Sequence, residues 1–168
     1  EVPLLSPLSS YTTFEFLTGK KISHPETKKV VYGFLPYWNL DKITVQPELT
    51  HLSYFGLQIG QDGFIVDQTD DGPNPGYSRL NSDKLMELAN QVKNNNDRFE
   101  LVLIQFDSEK IEKILNNPEA HQNLIQSLDS ILLAYPISGI NIDIEYVGEV
   151  DPKLRNNLTN LVRTIRAH

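Results

Sequence analysis

Residues 139–145 read GINIDIE, in which small or polar residues alternate with isoleucine. Side chains on a β-strand alternate faces, so Gly139, Asn141, Asp143 and Glu145 fall on one side and the isoleucines on the other. Asp143 and Glu145 then stand roughly 6.5 Å apart, two strand rises of ~3.3 Å. Carboxyls at that spacing couple, because charge on one favours the proton on the other. A carboxyl that stays protonated near neutral pH is a general acid. Taken alone, the pair serves equally well as a loop cap or a solvated strand end. With Asp107 it would make a carboxylate set for Mg²⁺ or Mn²⁺, but no further ligand follows, and His24, His51, His121 and His168 are scattered. The pattern therefore calls for no metal and no cofactor.

The elements around this segment read as strands alternating with helices. Residues 30–38 (VVYGFLPYW), 49–59 (LTHLSYFGLQI), 101–106 (LVLIQF) and 137–145 are rich in β-branched and aromatic residues and predict four buried strands. The turn Gly60-Gln61-Asp62-Gly63 predicts a hairpin returning through residues 64–66, and the Pro- and Gly-rich stretch 69–79 predicts a surface loop. Ser82 is an N-cap for a helix whose stripe is Leu85, Met86, Leu88, Ala89 and Val92. Further helices are predicted from about Ser108, from Pro118 with Ile125, Leu128 and Leu132 on one face, and from Asp151-Pro152 with Leu154, Leu158, Leu161, Val162 and Ile165 on one face. Residues 1–29, with Pro3, Pro7 and Pro25, read as a linker or arm, and 30–168 as the domain.

Such alternation predicts an α/β fold with a parallel sheet of βα units. Four units of about 35 residues each imply a full set of about 280, near the ~250 of a (β/α)₈ barrel, so the chain is expected to hold the first half of one. In that barrel Asp143 and Glu145 lie at the carboxyl end of the fourth strand, the face where barrel enzymes place their sites. The connection between the first two strands, about ten residues, is short for a crossover helix.

Bulk properties narrow the partners. The 168 residues carry 39% apolar and 22% charged residues, an ordinary globular composition. A net charge of -7 argues against nucleic acid, which needs clustered Lys and Arg. No apolar run is long enough to insert in a membrane. The absence of cysteine removes disulfides, thiolate metal sites and cysteine nucleophiles together.

Residues 138–146 (SGINIDIEY) resemble the fourth-strand signature of glycoside hydrolase family 18, the chitinase-like enzymes, written Asp-Gly-x-Asp-x-Asp-x-Glu. YGFLPYW, THLSYFGLQIGQDGFIV and LVLIQFD are similar to the family's first three strands, in the same order. The likeness runs from residue 30 to 168 and is nearest to the bacterial cell-wall and spore-cortex type, whose signature carries Asn where Asn141 stands. Ser138 departs from the first acid of the signature and Asn141 from the second, which implies altered pH behaviour.

What the resemblance implies is a retaining, substrate-assisted hydrolysis of β-1,4 linkages in N-acetylglucosamine polymers, chitin or peptidoglycan, without a protein nucleophile. Glu145 would be the acid and base, Asp143 the group that holds the substrate acetamido, and Asn141 its support. It further implies action outside the cell or at the cell wall. The family completes its sugar pocket with a Tyr and a Trp from later strands, so this half alone is expected to show little or no turnover. Its first and fourth strands would have open edges that favour pairing, including self-association. The alternative is a non-catalytic, glycan-binding barrel. Aromatic faces stack on sugar rings, and of Tyr32, Phe34, Tyr37 and Trp38 the last two lie nearest the strand's carboxyl end and are the candidate binders; the first two read as core. Gln58, Gln105 and Tyr146 complete the candidate substrate contacts.

Overall fold

The computed structural model describes residues 29–168, so the expected arm over residues 1–29 lies almost wholly outside the described residues. Four strands form one sheet: β1 (Tyr32–Pro36), β2 (His51–Gln58), β5 (Arg98–Gln105) and β6 (Gly139–Ile144), in the order β1-β2-β5-β6. Every neighbouring pair is parallel. All four carboxyl ends therefore share one rim. A two-residue pair of short strands, β3 (Gln68–Thr69) and β4 (Gly72–Pro73), stands apart from this sheet.

Helices cover one face of the sheet. They are α1 (Pro75–Leu80), α2 (Asp83–Asn94), α3 (Ser108–Asn116), α4 (Pro118–Ala134) and α5 (Pro152–Ala167). Most starts carry the expected cap. Ser82 accepts from the Leu85 N–H and opens α2, Asp107 accepts from Glu109 and Lys110 for α3, and Asn117 and Asp151 do the same for α4 and α5. Pro118 and Pro152 sit in the first turn, where a missing N–H costs nothing. The core lies between sheet and helices. Leu35, Leu52, Tyr54, Leu57, Phe99, Leu101 and Leu103 from the strands meet Leu85, Leu88, Val92, Ile111, Ile114, Leu124, Leu128, Leu154 and Leu161. Burying a side chain of this size contributes about 1.5–3 kcal/mol. Val102, although buried, is absent from that cluster because it faces the other way.

Several boundaries differ from the sequence reading. The first strand stops at Pro36, and Tyr37–Lys42 is a 3₁₀ turn that buries Leu40. That turn, rather than an α-helix, makes the β1–β2 crossover, as the short connection requires. Residues 64–66 form no strand; Ile65 makes a single bridge with Ile59. The stretch 69–79 is not all loop, because Asn74 accepts from the Tyr77 N–H and Pro75 starts α1. On α4 it is Ile131 that is buried, while Leu132 is exposed, and on α5 Val162 is exposed. An ideal 3.6-residue period places both exposed residues at the margin of the apolar stripe.

Candidate active site

Register fixes the neighbours of the polar residues on β6. Gly139 stands opposite Glu100, Asn141 opposite Val102 and Asp143 opposite Ile104. Gln58 on β2 lies across Ile104 from the other side. Gln58 reaches this inward row only because β2 shifts register between Phe55 and Leu57, at Gly56. Glu145 follows the strand, yet its N–H still donates to the Gln105 carbonyl (3.1 Å), so the extended ladder continues. Alternation then puts Glu145 on the face of Asp143, exposed at the carboxyl rim, above a half-buried Asp143 and Asn141. The isoleucines point the other way; Ile140 and Ile144 pack against the helical core.

The floor of the inward face is a polar cluster. The Tyr32 hydroxyl donates to Glu100 Oε2 and lies 2.6 Å from Ser53 Oγ. Ser53 Oγ is 3.3 Å from the same carboxylate oxygen, and Asn141 Nδ2 donates to the Tyr32 hydroxyl at 3.2 Å. Glu100 is only 8% exposed. A buried carboxylate is costly unless hydrogen-bonded, and two hydroxyl groups answer that need. Gly139 makes room for it, since a Cβ there would lie 3.2 Å from Glu100 Oε1. Burial, and then the bond to Glu100, raise the Tyr32 pKa above the ordinary tyrosine value. Sequence reasoning passed over Glu100; its one signal is an acid inside the otherwise apolar run Phe99 to Ile104.

The aromatic candidates separate. Trp38, on the 3₁₀ turn directly after β1, is 57% exposed and meets Phe55 edge-on at 6.2 Å. Tyr37 lies partly buried against the core, edge-on to Trp38 at 4.9 Å. Tyr32 and Phe34, read as core, instead face inward, 37% and 56% exposed. They belong to the parity of Ser53 and Asn141, not of Leu35. Gln58 is half-buried and lines a rim depression of about 310 Å³ with Gln61, Asp62 and Lys110.

Two candidates make their hydrogen bonds elsewhere in the fold. Gln105 is 1% exposed; its Nε2 donates to the Ile59 carbonyl (2.6 Å) and its Oε1 accepts from the Phe106 and Asp107 N–H groups (3.0 Å each). Both polar atoms are engaged by backbone, so the side chain joins the strand ends. Tyr146 shares the isoleucine parity and turns to the helical side, donating to Glu112 Oε1 at 2.5 Å. That bond raises its pKa. Asp107, weighed above as a metal ligand, caps α3 with its Oδ1, and its Oδ2 lies 4.0 Å from Lys110 Nζ.

No family model matches the chain. Among curated proteins it is similar to YdhD of Bacillus subtilis (strain 168), provisionally named a sporulation-specific glycosylase, at 24% identity over 156 residues. That match covers 88% of this chain and 34% of YdhD. Among solved structures, a chitinase from Bacteroides thetaiotaomicron superposes with a TM-score of 0.65 at 22% identity, over 82% of this chain and 42% of its own. A GH18 chitinase from Cycas revoluta, solved in complex with (GlcNAc)4, gives 0.58 at 18% identity, over 81% and 39%. The chain thus spans between a third and about two fifths of the length of these relatives. Four parallel strands, their order and these superpositions make the fold that of half a chitinase-type (β/α)₈ barrel, and the family this chain resembles is glycoside hydrolase family 18.

Proposed function

We propose that this chain supplies the acid-bearing half of a glycoside hydrolase that cleaves β-1,4 linkages in N-acetylglucosamine-containing polymers, chitin or peptidoglycan, outside the cell or at its wall. The observation that carries the reading is the inward row Asn141, Asp143, Glu145, climbing to the carboxyl rim on which Trp38 is also exposed. In this reading Glu145 protonates the glycosidic oxygen while the substrate's own acetamido oxygen attacks the anomeric carbon. The leaving sugar departs as its bond to that carbon breaks. Asp143 accepts a hydrogen bond from the acetamido N–H and stabilises the oxazolinium ion. Glu145, now ionised, takes a proton from water, which opens the ring with net retention. Trp38 offers a stacking face for a sugar ring, and Gln58, on the inward face of β2, offers a polar contact.

A second reading, glycan binding without turnover, is favoured by the departures at Ser138 and Asn141 from the family signature. One experiment separates the two. In a barrel completed around this chain, Glu145→Gln should lower hydrolysis of chitin oligosaccharides or peptidoglycan by about 10²- to 10⁴-fold while leaving binding intact. Turnover unaffected by Glu145→Gln, or absent in the completed barrel despite binding, rejects the hydrolase reading. The 168-residue chain by itself is expected to show no turnover above the Glu145→Gln background, since it offers one side of the sugar pocket.

A further inference from the structure

The Tyr32 hydroxyl has one hydrogen and three polar neighbours: Glu100 Oε2, Ser53 Oγ and Asn141 Nδ2. An ionised carboxylate can only accept, so that hydrogen goes to Glu100. The oxygen of Tyr32 can then only accept from residue 141. An amide nitrogen satisfies it; an ionised aspartate would set lone pairs against lone pairs and bring a second negative charge beside Glu100. The geometry points to Glu100 as a positioning residue. It holds the negative charge at the base of the inward face and, through Tyr32, requires residue 141 to be an amide with its nitrogen end turned down. Asn141 is thereby anchored two residues below Asp143 on the same face, and adds no charge there. Gly139 belongs to the same device, because any side chain at that position would crowd the Glu100 carboxylate. The departure at residue 141 is on this account a transfer of charge from one strand to its neighbour. For its meaning in catalysis the inference rests on the hydrolase reading. Its test does not, since it needs no turnover.

The test is a double-mutant cycle in thermal unfolding, on the 168-residue chain, with Glu100→Gln, Asn141→Asp and the two combined. Asn141→Asp alone should lower the midpoint at neutral pH, and its cost should shrink as pH enters the carboxylate range, where the new acid gains a hydrogen to donate. Adding Glu100→Gln to it should raise the midpoint again. A cost that is additive, or that does not change with pH, overturns the proposal. Should Asn141→Asp fail to fold, tyrosine-labelled NMR decides. Tyr32 should ionise at lower pH in Glu100→Gln than in the parent, and the Asn141 side-chain amide should lose its exchange protection in Tyr32→Phe while keeping it in Glu100→Gln. No movement of Tyr32, or an amide indifferent to Tyr32→Phe, overturns the proposal equally.

Discussion

His121 shows how one atom can set a pH dependence. It lies in the first turns of α4 with its Nε2 buried and without a hydrogen-bond partner. Desolvation lowers its pKa below 6.5, and the carbonyls of Ile114 and Leu115 offset this only in part. The unfolded chain therefore binds a proton more readily than the folded one. The stability contributed by the neutral ring is present above pH ~6.5 and is lost as pH falls through that value toward the lower folded pKa. His121→Gln should flatten the slope of unfolding free energy between about pH 7 and pH 5, measured by denaturant titration; an unchanged slope rejects the account. At this scale the sequence is informative where a strand has one polar face. Period two alone placed Asn141, Asp143 and Glu145 together. It also places Tyr146 with the isoleucines, away from the inward face. For β5 it decides nothing, because a strand buried on both faces reads as a continuous apolar run. Gln105 and Glu100 are polar residues of opposite parity in that run, and only register shows that Glu100 points inward.

At the scale of elements, the bulge in β2 exchanges the two faces halfway along the strand. Gly56 takes φ +136°, and a Cβ there would fall 2.6 Å from the Tyr37 ring. Its carbonyl is approached by α1, since a Cβ on Gly76 would sit 2.0 Å from the Gly56 oxygen. The Tyr54 hydroxyl donates to the Gly76 carbonyl at 2.7 Å and ties the same two elements. Past the bulge Leu57 enters the core opposite Leu103, and Gln58 turns inward opposite Ile104. Gly56→Ala should destabilise by about 1–3 kcal/mol from backbone strain, with crowding by Tyr37 added. Gly72→Ala supplies the control: its φ is +119°, but nothing lies within 4 Å of the added Cβ, so strain acts alone. Equal costs for the two in chemical denaturation would remove the close packing at Gly56 from the account. Among the described residues, the four strands of the sheet and four of the five α-helices are legible because each carries a long apolar period or a recognisable cap. The helix Pro75–Leu80 was not, although Asn74 and Pro75 are helix-start residues, because six residues show less than two full turns of pattern. The bulge was illegible for a different reason. A lone glycine in a strand signals irregularity without saying which residues change sides.

For the whole molecule, the unpaired edges matter most. Among the described residues β1 and β6 each pair on one side only, leaving a row of backbone donors and acceptors open along each. β1 and the residues leading into it are also apolar: Val30 and Val31 just before the strand are 69% and 41% exposed, and Tyr32 and Phe34 within it 37% and 56%. An open, apolar edge of this kind is a template for further pairing, and natural sheets blunt it with charge, above all with lysine. Because all four strands of the sheet run parallel, a second copy related by a two-fold axis along the barrel can set its β6 beside this β1 in the same direction. Two such junctions would close eight strands. The 168-residue chain is therefore expected to associate in a concentration-dependent way, read as mass by light scattering. Closed pairing of that kind predicts a dimer that stops growing, whereas edge pairing without closure predicts open-ended growth. The net charge of -7 opposes either, so association should strengthen with ionic strength. Phe34→Lys places a charge at the inward edge and should shift the population toward monomer without lowering the unfolding midpoint of the monomer itself, since Phe34 lies outside the buried core. A chain that stays monomeric at high concentration and high salt would show that the open edges are protected in some other way.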